Sequence, residues 1–129
     1  MKLARRSAII TGANQGLGLE IARAFVREGA DILICAREKR RLEGAHEYLR
    51  SLTKPGQKVV AELADVSREE HCSHLVERGL EEFGSIQILV NNAGIYGPKG
   101  TIDEVDWAEW VRAIEINLYG SVLMCRAII

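Results

Sequence analysis

The chain has 129 residues, with 17 Lys and Arg against 18 Asp and Glu and a net charge of -1; it is long enough to bury the core of one domain and lacks the basic excess that draws proteins to nucleic acid or anionic membrane. Its apolar runs fall far short of a membrane span, and Met1-Lys2-Leu3-Ala4-Arg5-Arg6 leads straight into the first of them with no signal-peptide core, so the expectation is a cytoplasmic protein. Cys35, Cys72 and Cys125 are odd in number and widely spaced, which suits reduced, buried thiols rather than a disulfide framework or a C-x-x-C metal site.

The first apolar run, Ala8-Ile9-Ile10, reads as a buried strand. It feeds Thr11-Gly12-Ala13-Asn14-Gln15-Gly16-Leu17-Gly18, which opens a helical pattern. A strand that passes through a glycine-rich turn into a helix N-terminus aims free backbone N–H groups and the helix dipole at one point, an arrangement suited to a pyrophosphate. The spacing departs from the commoner G-x-G-x-x-G and marks a narrower group of dinucleotide binders; a plain glycine loop is the alternative. Leu17, Ile21, Ala24 and Phe25 form the apolar stripe predicted to cover the sheet, and Gly29 ends the helix.

Ile32 to Cys35 is the second strand. About twenty residues past the glycines, where NAD-binding chains commonly place a carboxylate for the ribose 2′-OH, stands Ala36 followed by Arg37. An arginine there can accept a 2′-phosphate through charge-assisted bonds. The other reading is that it begins the solvated cluster Arg37-Glu38-Lys39-Arg40-Arg41. Leu42, Ala45, Leu49 and Leu52 give the second helical stripe, closed by Pro55-Gly56, and Val59 to Leu63 the third strand. The carboxylate of Asp65, in Asp65-Val66, can bond an adenine amino group at the sheet edge or make an Asx turn or helix cap.

Ser67 is predicted to cap a third helix with its stripe on Cys72, Leu75, Val76, Leu80 and Phe83 and its end at Gly84. His71-x-x-His74 with Cys72 has metal-like spacing, but beside Arg68, Glu69 and Glu70 it reads as a solvated face, and no metal site is expected. The fourth strand, Ile86 to Val90, closes on Asn91-Asn92-Ala93-Gly94. Amides there satisfy open strand ends and small residues admit a nicotinamide ribose; a ligand-free turn wants similar residues, and the conjunction with the glycine turn favours the ligand. In the last helical pattern Trp107, Trp110, Val111 and Ile114 form the stripe, the tryptophans as core or interface. Asn117, between Ile116 and Leu118, reads as a buried amide whose partner is a relay water or the helix backbone.

This β-α alternation, at about thirty residues per unit, predicts one domain over residues 1–129: an α/β, doubly wound parallel sheet of Rossmann type, strand order 3-2-1-4. A complete fold of this kind has about six strands. Only four are present and Ile128-Ile129 falls inside a helix pattern, so the expectation is the N-terminal part of a longer protein.

Together, Thr11-Gly12-x3-Gly16-x-Gly18, Asp65, Asn91-Asn92-Ala93-Gly94 and Asn117 resemble the short-chain dehydrogenase/reductase family over essentially the whole chain, the Asn-Asn-Ala-Gly run being the specific part. The resemblance implies an NAD(P)-dependent oxidoreductase, homo-oligomeric when complete, that moves a hydride between nicotinamide and a small alcohol or carbonyl substrate. It implies that Gly12, Asn14, Gln15, Gly16, Leu17 and Gly18 hold the pyrophosphate and that Asp65 and Val66 flank the adenine. Asn91, Ala93 and Gly94 line the adenosine and nicotinamide side by the same likeness, and Asn117 is the one catalytic residue present. Ala36 and Arg37 favour NADP(H), with NAD(H) second. The family's Ser, and its Tyr with Lys four residues on, have no counterpart here: Tyr119 is followed four positions later by Leu123 and Tyr96 by Gly100. The chain alone is therefore expected to be inactive. A non-catalytic dinucleotide-binding or sensing module is the alternative, and Asn91-Asn92-Ala93-Gly94 with Arg37 argues against a methyltransferase.

Overall fold

In the computed structural model, which describes residues 1–129, strands β1 (Ser7–Thr11), β2 (Asp31–Ala36), β3 (Val59–Leu63) and β4 (Ile88–Val90) alternate with helices α1 (Gly16–Arg27), α2 (Lys39–Ser51), α3 (Glu69–Phe83) and α4 (Trp107–Ile114). Helix α4 continues through a π-helical turn, Glu115–Tyr119, into α5 (Gly120–Ile128). The strands are all parallel in the order β3-β2-β1-β4. Thr11 pairs with Cys35, Ala36 with Leu63 and Ile10 with Val90, so the carboxyl ends of all four strands meet at one edge.

Side chains alternate across a strand, and the two central strands are apolar at successive positions, so each feeds two cores. Ala8, Ile10, Ile32 and Ile34 pack under α1 and α2 with Val26, Leu42 and Leu49. Ile9, Leu33 and Cys35 pack on the other face with Val60, Leu75, Val76, Ile116 and Met124. Burying each large aliphatic chain contributes about 1.5–3 kcal/mol, which is why β1 and β2 anchor the sheet. No helix is long and apolar enough to cross a membrane.

Several local expectations are corrected. Helix α1 buries Gly18, Ala22 and Val26, with Ile21 and Phe25 only flanking, while Ala24 is exposed and Leu17 is 70% exposed. A Cβ on Gly18 would lie 2.4 Å from Gly12 O and from Asn92 Nδ2, so the helix starts with its small-residue strip against the turn and Leu17 rotated outward. In α3, Leu80 is exposed and Gly79 lies inside, because a Cβ at Gly79 would stand 2.8 Å from Ile86 Cδ1. Strand β4 begins at Ile88, not Ile86; ahead of it the Gln87 side chain accepts the Ser7 N–H at 2.8 Å.

Ser67 does not cap α3, whose N-cap position is Arg68; the Ser67 hydroxyl donates to Asp65 instead. Trp107 and Trp110 are 68% and 37% exposed, so they are not core, and α4 buries only Ala113. Cys35 and Cys72 are buried but Cys125 is exposed. Burial pushes the Cys35 thiol to about 12 and the Cys72 thiol to about 11, which keeps both protonated and unreactive.

Candidate functional site

The carboxyl edge of the sheet opens into a cleft of about 640 Å³. Gly12, Asn14, Gln15 and Leu17 form its floor, Ala36, Arg37, Glu38 and Arg41 one end, Ala64 and Val66 a side wall, and Asn92 through Tyr96 the far end over Ile116. Of the residues singled out from sequence, Gly16, Gly18, Asp65, Asn91 and Asn117 do not line it. Gly16 and Gly18 shape the floor from the first turn of α1.

The floor is held by long-range bonds. Gly12 N–H and Ala13 N–H donate to Cys35 O at 2.9 and 3.3 Å, and Gly12 and Gly16 have φ of +65° and +56°, which an L residue seldom adopts. A Cβ on Gly12 would stand 2.8 Å from Ala93 Cα, so the two turns touch only because it is missing. The first main-chain bond of α1 runs from Leu19 N–H to Gln15 O, and the N–H groups of Asn14 through Gly18 have no acceptor in the protein. These free donors lie at the positive end of the helix dipole, and a Cβ at Gly16 would meet only open space.

Thr11 and Asn92, read from sequence only as members of their motifs, join this floor to the turn after β4. Thr11 Oγ1 accepts from the N–H groups of Asn92 and Ala93, both at 3.0 Å, and donates to Val90 O at 3.4 Å. Asn92 Nδ2 donates to Gly12 O at 3.0 Å. A hydroxyl at one strand end beside an amide-rich turn at the next was the available signal. Ala93 and Gly94 face the cleft, whereas Asn91 is turned away, its Nδ2 3.6 Å from Cys125 Sγ.

At the other end Glu38 caps α2 by accepting the N–H groups of Arg40 and Arg41 at 3.1 and 2.7 Å. Arg41 Nη1 donates to Gln15 Oε1 across the cleft, and Arg37 has no ion-pair partner. Two guanidiniums thus flank one opening.

Asp65 forms the Asx turn allowed for it. Oδ1 accepts the Ser67 N–H and hydroxyl at 3.0 and 2.7 Å, and Oδ2 takes Arg112 Nη2 at 2.5 Å. Burial pushes this carboxyl up, but the bonds from Ser67 and Arg112 outweigh it and hold the group at about 2, below its ordinary 3.8. His71 is half-buried, not part of a solvated face: its Nδ1 accepts the Asp65 N–H at 2.9 Å. His74 faces Glu62 at 3.5 Å, and no group of three or more His, Cys, Asp or Glu gathers to hold a metal.

Asn117 is exposed rather than buried and sits in the π-helical turn. Its Oδ1 accepts the Ile95 N–H at 2.8 Å and its Nδ2 donates to Ile95 O at 2.7 Å, fixing the cleft residue next to Gly94. These are side-chain bonds to the main chain of a remote loop, not the helix-bending bond considered from sequence. Such π-helical turns are rare and concentrate at functional sites.

The unpaired amides, the close glycine approach and the Arg37 and Arg41 guanidiniums, of which Arg37 is unpaired, fit a dinucleotide phosphate. The model of the short chain dehydrogenase family matches residues 6–129. The chain is 39% identical over 120 residues to a cis-4-hydroxycyclohexanecarboxylate dehydrogenase of Sinomonas cyclohexanicum, covering 93% of this chain and 47% of that protein. It is 34% identical over 125 residues to glucose 1-dehydrogenase 2 of Bacillus subtilis, covering 97% and 48%. The fold superposes on NAD+-bound xylitol dehydrogenase with a TM-score of 0.93 at 26% identity, over 99% of this chain and 48% of that one. Against an actinorhodin polyketide ketoreductase variant with NADPH the TM-score is 0.88 at 32% identity, over 95% and 46%. The chain thus spans about half the length of the relatives it matches. With that match running through both turns of the cleft, the chain belongs to the short-chain dehydrogenase family.

Proposed function

We propose that the protein is an NAD(P)-dependent oxidoreductase acting on a small alcohol or carbonyl substrate, that it prefers NADP(H), and that this chain forms its cofactor-binding half. The observation that carries this reading is the run of unpaired amides from Asn14 to Gly18 at the start of α1, beside a cleft that Asn14, Gln15 and Leu17 share with Ala93 and Gly94. When bound, the cofactor supplies or accepts the hydride. The amides hold its pyrophosphate, Ala64 and Val66 give the adenine an apolar wall, and Ala93 and Gly94 let a ribose approach. Ala36 leaves room beside the adenosine ribose, and Arg37 and Arg41 offer charge to a 2′-phosphate. Asn117 keeps a spare amide hydrogen and lone pair beyond its bonds to Ile95, enough to hold a water that relays protons.

No tyrosine of this chain has a lysine four residues on: Leu52, Gly100 and Leu123 follow Tyr48, Tyr96 and Tyr119 at that spacing. We assign the acid-base group to sequence outside this chain, and the assembled enzyme to a homo-oligomer in the cytoplasm. Loss of a positioned acid or base removes roughly 10²- to 10⁴-fold of rate, so the 129-residue chain alone turns over no alcohol or carbonyl. The test is titration of both cofactors into the full-length protein at one ionic strength, with turnover assayed in parallel. A charged hydrogen bond is worth about 1.5–3 kcal/mol, so NADP(H) binds roughly ten- to a hundredfold more tightly than NAD(H). Equal affinities defeat the NADP preference, and tight binding without turnover in the full-length protein favours a sensing module.

A further inference from the structure

The side wall of the cleft, Ala64 to Ser67, leaves the strand ladder at its first residue. Ala64 N–H donates to Ala36 O at 3.0 Å; beyond it the turn is closed by one main-chain bond, Arg68 N–H to Asp65 O at 3.0 Å, and otherwise by side chains, His71 Nδ1 among them, which accepts the Asp65 N–H at 2.9 Å. Ala64 and Val66 are buried and line the cleft, while the Asp65 carboxylate between them is turned out of it. The group that meets it comes from α4. Arg112 Nη2 reaches Asp65 Oδ2 at 2.5 Å, Arg112 Nη1 reaches the Ser67 hydroxyl at 2.7 Å, and Glu115 Oε2 lies 3.8 Å from the same nitrogen. One guanidinium therefore grips both ends of the Asx turn. The same continuous helix touches the wall again at Gly120, where a Cβ would stand 2.6 Å from Val66 Cγ2. Between these two contacts lies Asn117, bonded to Ile95 at the far end of the cleft.

Building on the dinucleotide reading above, we propose that Arg112 is a positioning residue for cofactor binding: from behind the wall it locks the Asp65-Val66-Ser67 turn, so that Ala64 and Val66 present a fixed apolar face to the adenosine half of the cofactor. Asp65 enters this arrangement through its bonds to Ser67 and Arg112, which engage Oδ1 and Oδ2 respectively. Arg112 touches neither the ligand nor the reacting atoms, so its effect is confined to one half of the dinucleotide. An ordered wall costs the ligand no immobilisation on binding, whereas a loose one must be ordered by it.

The experiment uses the full-length protein and three ligands: NADP+, 2′,5′-ADP, which is its adenosine half, and nicotinamide mononucleotide, which is the other. Arg112→Met keeps the aliphatic stem and removes the donors. It weakens NADP+ and 2′,5′-ADP about tenfold, leaves nicotinamide mononucleotide unchanged, and raises KM for the cofactor while kcat at saturation changes less than about twofold. Arg112→Lys recovers part of the loss. Asp65→Asn, which cuts the ion pair from the other side with little change of shape, gives the same adenosine-selective loss and serves if Arg112→Met does not fold. Unchanged 2′,5′-ADP affinity in the folded variants, or equal weakening of both halves, overturns the role of Arg112 alone. A wild-type protein that binds neither NADP+ nor either half overturns the dinucleotide reading and this inference with it.

Discussion

Gly18 places the turn, the helix and the amide loop with an atom it lacks. A methyl group there would enter the space of Gly12 O and Asn92 Nδ2, both 2.4 Å away. Backbone cannot yield as a side chain end can, so Gly18→Ala should cost about 1–3 kcal/mol of stability and more than tenfold in dinucleotide affinity, read by thermal melting and titration. Retained affinity would show that the turn has slack. Asp65 makes the stability of the fold depend on pH. Its folded pKa of about 2 lies below the ordinary 3.8, so the stability it contributes is complete above that ordinary value and lost as pH falls toward the folded one. Screened by solvent, the contribution is roughly 1–2 kcal/mol. Arg112→Met should raise the Asp65 pKa and shrink the fall in melting temperature across that acid window; an unchanged acid limb would mean that Ser67 alone holds the carboxylate. For the cofactor end, replacing Ala36 with Asp and Arg37 with Ser should reverse the preference to NAD(H), since a carboxylate accepts the 2′-OH and repels a 2′-phosphate. Equal titration curves for the altered and native proteins would assign that task elsewhere, with Arg41 the first place to look.

Among the elements, strands and helices were legible because each is written locally. Ala8 to Ile10 and Ile32 to Cys35 are unbroken apolar runs that only a doubly covered strand accommodates. Rotation of a helix about its axis was not. Leu17 and Ala24 satisfy the period as well as Ala22 and Val26 do, and what selects between them is a contact with Asn92, remote in sequence. The π-helical turn is equally hidden, because one extra residue in a turn leaves the composition unchanged and only shifts the phase. The Asp65 partner lies 47 residues away on another helix, so an Asx turn was readable from sequence but its ion pair was not. Asn117 joins two elements through Ile95, and Asn117→Ala should leave the helix formed while releasing the loop. The Ile95 amide should then exchange with deuterium faster than in the native protein, with core amides of β1 unchanged; equal protection would show that the loop holds itself.

At the scale of the whole molecule, the sheet is closed on neither side: β3 and β4 each have a single strand partner. Trp107, Trp110, Leu118, Tyr119 and Val122 are exposed along the helix that carries α4 and α5. Exposed apolar side chains and open strand edges favour association, so the 129-residue chain should self-associate or bind a hydrophobic dye, and sedimentation as a dye-silent monomer with a cooperative melt would contradict this. The proposed activity requires a nicotinamide dinucleotide to lie across the carboxyl edge of the sheet. A crystal structure of the full-length protein with NADP+ decides this. The pyrophosphate should lie on the amides of Asn14 to Gly18, the adenine against Val66 and the 2′-phosphate between Arg37 and Arg41; a dinucleotide bound elsewhere, or a cleft that stays empty at saturating ligand, would refute the cofactor reading.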